Sequence, residues 1–408
     1  MTIDAISSEY LSLAFALEQH VEGFVDAYYG PPEPREHGRG RPSDPAAILA
    51  DIRALRREVS ASEYPDRRKA YLDAQLRGME TVARKAAGEE LSYGEEVRGC
   101  FDVEPAHTPE SVFEQATAEL DALLPGTGTI AERRDAWQRR YEVAPDVARQ
   151  MIDRIAAEAR ARTARLVRLP EHESVEFALV SDKPWSGYNW YLGGARSLVE
   201  CNTDLPIRAH TLVGLICHEA YPGHHTEHSL KEQHLFMERG WGEHATCLTG
   251  APECVISEGI ATLAPDIIFD GDAAAWAAAE IYPMAGIVGE PEREQRIASA
   301  GRALRALGAN AALLLHEHGA DPEEVVRYIR RYGLSTEREA RQSLRFISTP
   351  LWRAYVFTYH AGRDLLARWL EQGDRADGFR TLLTEQVYPS LIEECIEEDL
   401  SARPQNAR

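Results

Sequence analysis

Between positions 217 and 225 the chain reads Cys-His-Glu-Ala-Tyr-Pro-Gly-His-His, and no regular helix runs through that stretch undisturbed. Pro222 has no backbone donor, and Gly223 accepts dihedrals that other residues avoid. The same nine residues gather three imidazoles and a carboxylate. Zinc hydrolysis chemistry needs neutral imidazoles and a carboxylate as ligands, an open position for water, and a base to take the proton of that water. The usual helical arrangement is H-E-x-x-H, with its histidines four apart on one face. Here Pro222 occupies the place of the second histidine. On a straight helix His224 would lie about 120° from the face of His218, and His225 about 20° from it but about 10 Å further along. A kink or over-winding at Pro222-Gly223 can bring one of the two round. The residues alone leave open which one.

The pattern H-E-x-x-P-G-H-H, carried by His218, Glu219, Pro222, Gly223, His224 and His225, resembles the hallmark of the bacterial domain-of-unknown-function family 885. Glu258-Gly259 matches the E-G helix of that family, and the opening stretch His20 to Pro31 resembles one of its subgroups. The family resembles the gluzincin metallopeptidases, and its fold is similar to that of the thermostable, Taq-type zinc carboxypeptidases. The resemblance implies one zinc ion held by His218, His224 and Glu258, with Glu219 as general base and His225 beside the site. The family commonly continues E-G-W-A-L-Y-A-E, whereas this chain has Ile260, Leu263 and Pro265, so its pocket is expected to differ in shape.

The residues around Glu258 support the same reading independently, because an unpaired carboxylate among apolar neighbours is costly and a metal removes that cost. Further on, Tyr359-His360-Ala361-Gly362-Arg363 resembles the Tyr-x-x-Gly segment of the family. Tyr359 and Arg363 share a helix face. A tyrosine hydroxyl can hold an oxyanion, and a guanidinium can grip a substrate carboxylate with two parallel bonds. Seven of the fourteen histidines fall between positions 210 and 244; His210, His228, His234 and His244 read as surface or hydrogen-bonded helix residues.

Forty-five Lys+Arg against 66 Asp+Glu give a net charge of −21, which argues against nucleic acid or an anionic membrane as partner. No run approaches the roughly 18 apolar residues of a membrane span, and the N-terminus lacks the basic region of a signal peptide. The six cysteines are scattered without a C-x-x-C pair, which suits reduced thiols and a cytoplasmic protein. Cys217 reads as a small core residue.

Helical spacing of Tyr10, Ala14, Leu17, Val21 and Phe24 predicts a helix over 7–28, followed by a Pro- and Gly-rich loop from Gly30 to Pro42. Asp44-Pro45, Thr108-Pro109, Asp321-Pro322 and Thr349-Pro350 each read as an N-cap with proline at the first helical position. Helices are expected near 45–59, 64–87, 109–124, 130–141 and 145–168. From Pro170 the texture changes. Three runs rich in β-branched and aromatic residues, 174–180, 188–192 and 196–201, are separated by Pro-Trp-Ser-Gly and Gly-Gly turns and predict a small antiparallel sheet. Asp204 then reads as the cap of the metal-site helix, and a helix opens at Pro252. The remainder is predicted helical over 272–281, 291–318, 322–332, 336–346, 350–371 and 388–401.

The expectation is a single domain over 1–408, mainly α, with a helical part over 1–169 and the sheet and metal helices over 170–408. Its expected activity is hydrolysis of a peptide or small amide at one Zn2+. A non-peptide amide or ester hydrolase, or a metal-binding scaffold without turnover, would use the same ligands; an intact Glu219 speaks against the scaffold.

Overall fold

Side chains at the helix starts account for much of the architecture. The Asp44 carboxylate accepts from Ala46 N at 3.1 Å and the Asp321 carboxylate from Glu323 N at 2.8 Å, each with proline at the first helical position. Capping boxes at Ser92, Thr129 and Thr336 start three more helices, satisfying backbone donors that the helix itself leaves unpaired. The computed structural model describes residues 3–41, 44–183 and 185–402, the last four by backbone alone.

In chain order the helices are α1 (Ala5–Glu18), α2 (Pro32–Gly40), α3 (Pro45–Ala61), α4 (Asp66–Ala86), α5 (Tyr93–Phe101), α6 (Glu110–Leu123), α7 (Ile130–Arg139), α8 (Pro145–Leu166), α9 (Ala209–Glu219), α10 (His224–Lys231), α11 (Glu253–Phe269), α12 (Ala273–Glu280), α13 (Pro291–Ala300), α14 (Leu307–His316), α15 (Pro322–Gly333), α16 (Glu337–Ser348), α17 (Val356–Leu370), α18 (Arg375–Thr384) and α19 (Pro389–Ala402). The strands are β1 (Val25–Tyr28), β2 (Ser174–Val180), β3 (Gly187–Tyr191), β4 (Arg196–Asn202) and β5 (Thr246–Leu248). The protein is mainly α, as the capping and periodicity predict, with two small sheets where one was expected.

Several local expectations are corrected. The first helix stops at Glu18, because its carboxylate turns to accept from Gly23 N at 3.2 Å and Val25 N at 2.7 Å. The residues after it become β1, antiparallel to β5. The stretch read as a loop from Gly30 holds α2, started by Pro31 and Pro32; Pro42 lies outside the described residues. Thr349-Pro350 starts no helix: Thr349 caps the end of α16, and residues 350–355 form a turn before α17. Asp204 does not cap α9. Its carboxylate instead accepts from Asp182 N and Lys183 N at 3.0 and 3.1 Å, fixing the loop after β2; Pro184 of the predicted turn is outside the described residues.

The sheet near α9 is mixed, not antiparallel. Its order is β2-β4-β3, with β2 parallel to β4 and β3 antiparallel to it. The β3–β4 hairpin turns at Gly193-Gly194, both at positive φ, but β2 docks on the far edge of β4. That leaves β3 as an edge strand against α9 and α10. One buried core joins α1 and α3–α5 to α14–α17, so the first and last thirds of the chain share it. A second packs α8 and β4 on α9, and a third packs α10 and α11 on α17–α19.

Candidate metal centre

Helix α9 ends at Glu219 and α10 begins at His224, so the proline and glycine break the helix into two pieces joined by a tight turn. Gly223 is required there: a Cβ on it would fall 1.8 Å from the His218 carbonyl oxygen and 2.5 Å from that of Cys217. The fold returns on itself closely enough that the His218 and His224 rings lie 4.8 Å apart, nearly perpendicular. Glu258, on α11, projects between them. Its Oε2 is 3.3 Å from His218 Nε2 and its Oε1 is 3.8 Å from His224 Nε2.

Two carboxylates can complete a ligand set with these imidazoles. Donor atoms of His218, His224 and Glu219 also come within 4.8 Å of one another. Glu258 fits the ligand role better. It is buried, its Oε1 accepts from Tyr355 Oη at 2.7 Å, and its Oε2 has no hydrogen-bond partner among the described residues. Burial would raise its carboxyl, yet the facing His218 and His224 and the Tyr355 bond hold it below the usual range. The Glu219 carboxylate makes no hydrogen bond to a described residue and lines the cleft. Burial pushes it up, against the pull of His218 and His224. Gly187 on β3 makes room for it, since a Cβ there would lie 2.9 Å from Glu219 Oε1.

His224 is held in one tautomer. Ser257 Oγ donates to Glu227 Oε2 at 2.6 Å, a carboxylate that also takes the Lys231 ammonium at 2.6 Å on Oε1. With its proton committed, Ser257 Oγ can only accept from His224 Nδ1, 2.9 Å away. Nε2 of His224 therefore carries the lone pair that faces Glu258.

His225 points elsewhere. It is fully buried, with Nδ1 2.9 Å from Ser197 Oγ and Nε2 3.0 Å from Glu173 Oε2, an oxygen that also accepts from Tyr221 Oη at 2.5 Å. It pins α10 to β4 and does not join the site. Tyr359 does line the cleft, and its hydroxyl bonds no described residue; burial, with Glu258 and Glu219 nearby, pushes its phenol well up. Arg363 does not line it. Its guanidinium lies one turn further along α17, on the wall of an adjoining cavity, 3.5 Å from Asp266 Oδ2.

The cleft measures about 970 Å³ to its open mouth. Aromatic rings of Trp185, Tyr188, Phe346 and Trp352 line it, as do the acids Asp26 and Glu253. Tyr188 Oη donates to Asp26, whose carboxyl burial raises. His228 and His244 also line the cleft, whereas His210 lies on the adjoining cavity and His234 pairs with Glu238 at the surface. Sequence reasoning missed Asp26, Ser257, Tyr355 and Glu253. Tyr355 alone had a local signal, its spacing of four from Tyr359. Cys217 is a fully buried core residue, as expected.

No family model and no curated protein matches the chain. Among solved structures, the fold is similar to one described as "the putative lipoprotein from Colwellia psychrerythraea", with a TM-score of 0.55 and 16% identity over 95% of this chain and 69% of that one. A structure described as "a putative lipoprotein of unknown function from Shewanella oneidensis" aligns over 96% of this chain and 82% of its own, with a TM-score of 0.44 and 13% identity. The first likeness is one of fold. No helix among the described residues is long and apolar enough to cross a membrane.

Proposed function

We propose that this protein is a metal-dependent hydrolase of peptide bonds, holding one divalent cation on His218 Nε2, His224 Nε2 and Glu258. The observation that carries the reading is the buried Glu258 carboxylate, whose Oε2 bonds no described residue and lies 3.3 Å from His218 Nε2 while its Oε1 lies 3.8 Å from His224 Nε2. Such a carboxylate is costly unless a cation meets it, and two imidazoles with a carboxylate form a zinc-type donor set. When bound, the ion would polarise a substrate carbonyl and acidify water.

The chain's own groups fit the remaining tasks. Glu219 reaches the open cleft and stands ready to accept the proton of an attacking water and pass it to the leaving nitrogen. The Tyr359 hydroxyl is free to donate to an oxyanion. The outer edge of β3, beside Glu219, presents backbone groups along which an extended peptide can lie; Asn189 Nδ2 fixes this strand to the end of α9 by donating to the Glu219 carbonyl at 2.7 Å. The resemblance to family 885 points to the same chemistry. The test is elemental analysis of the purified protein, followed by hydrolysis of capped and uncapped peptides before and after chelation. Hydrolysis that survives complete metal removal would overturn the proposal.

A further inference from the structure

The cleft carries more acid than its own cations answer. Asp26, Glu219, Glu227, Glu253 and Glu258 line it, against one lysine and, among the described residues, no arginine. Lys231 is bonded to Glu227, and burial lowers both His228 and His244, so neither ring adds charge at neutral pH. The proposed metal ion answers Glu258 and Glu219. Glu253 accepts from Tyr71 Oη at 2.7 Å and has Lys231 near it. Asp26 is left over. Its side chain forms no ion pair with a described residue, and its partner there is a phenol, the Tyr188 hydroxyl.

An irregularity in β1 sets this residue apart. Val25 opposes Leu248 and Ala27 opposes Cys247, so Asp26 stands opposite no residue of β5. A bulge of this kind re-aims one side chain out of the regular alternation. Burial raises the Asp26 carboxyl, against the pull of Tyr188 and of His224. The Tyr188 ring lies 5.4 Å from that of Trp185 and 6.3 Å from that of Trp352, and all three line the cleft. A carboxylate beside aromatic rings favours a cation twice, by its charge and by the ring faces. One residue along β3, Asn189 also lines the cleft; it is 7% exposed, and its Oδ1 bonds no described residue. Its Nδ2 is committed to the Glu219 carbonyl, so the oxygen is the end left to accept. An acceptor without a donor and a carboxylate without a counter-charge both suit a ligand that brings N–H groups and positive charge.

We propose that Asp26, with the rings of Tyr188, Trp185 and Trp352 beside it, seats a primary ammonium group of the substrate, and that Asn189 Oδ1 accepts a further N–H of the same molecule. The cleft thus selects peptides that carry a free amine. This names a substrate class for the hydrolase reading above and rests on it for the peptide; the preference for the amine is measured without turnover.

Affinity is therefore measured by calorimetry in Glu219→Gln protein, loaded with zinc, for three peptides: trialanine amide, its N-acetylated form, and N-acetyl-lysyl-dialanine amide. An amine-bearing peptide should bind about tenfold or more tightly than acetylated trialanine amide. Preference for the first assigns the seat to the α-ammonium, and preference for the third to a side chain. Adding Asp26→Asn, which keeps the shape and removes the charge, should erase the preference without weakening the acetylated peptide. Adding Tyr188→Phe, which breaks the same hydrogen bond and keeps the charge, should retain it. Equal affinity for all three peptides, no binding of any, loss of the preference in Tyr188→Phe, or its loss in Glu253→Gln and not in Asp26→Asn would overturn the seat. A preference erased by Asp26→Asn in a protein whose wild type hydrolyses no peptide would retain the seat and refute the hydrolase reading. Hydrolysis without that preference would do the reverse.

Discussion

The backbones of Gly259 on α11 and Gly362 on α17 lie directly against each other. A Cβ on Gly362 would fall 2.1 Å from the Val255 carbonyl oxygen, and one on Gly259 would fall 2.7 Å from the Gly362 oxygen. This crossing brings Tyr355 and Tyr359 over Glu258. Both glycines thus serve the site without touching a ligand. Gly362→Ala should destabilise by about 1–3 kcal/mol, the usual cost of overpacking, and should reduce turnover further by moving Tyr355. Gly373→Ala, where a Cβ meets nothing within 4 Å, is the control. Chemical unfolding and peptide hydrolysis measure both; a Gly362→Ala protein as stable and active as the control would show that the crossing has slack.

Rate and metal content should separate at the two carboxylates. Glu219→Gln should retain the ion and lose hydrolysis by about 10²–10⁴-fold, the scale of general-base catalysis. Glu258→Gln should lose both together. Parallel elemental analysis and kinetics decide it, and loss of metal from Glu219→Gln would exchange the two roles.

Ser257→Ala removes the acceptor for His224 Nδ1 and leaves the ring free to turn. Metal affinity should fall about 10–100-fold, as for other groups that orient a ligand from behind. Competition against a chromogenic chelator measures this. Ser197→Ala, which removes the partner of His225 Nδ1, should leave metal affinity unchanged.

Stability should depend on pH through His210, which lies on the adjoining cavity between Trp137 and Tyr141. Burial, and then Arg208 and Arg134, lowers its pKa from 6.5 to about 4. Between those values the unfolded chain binds a proton that the fold refuses. The stabilisation is therefore whole above pH 6.5 and is lost as pH falls toward 4, amounting to about 1–3 kcal/mol. Urea unfolding of wild type and His210→Phe across that range should show the smaller pH dependence in the variant; equal slopes would assign the effect to other groups.

The sequence alone determined the helical class, the break at Pro222-Gly223, and the candidacy of His218, Glu219, His224, Glu258 and Tyr359. Those signals are local: a missing donor, a capping carboxylate, a periodic apolar face or an acid stranded among apolar neighbours acts within a few residues of itself. Which of His224 and His225 faces Glu258 was decided by Ser257 and Glu173, which lie 33 and 52 positions from the histidines they bind. The same holds for β2 docking parallel to β4, for Asp26 reaching the cleft after α1 ends early, and for Arg363 turning to the adjoining cavity. Each of these depends on which surfaces meet when all the helices pack at once, and that choice is set by the combined burial of three cores to which widely separated segments contribute, a quantity that no short stretch of the chain contains.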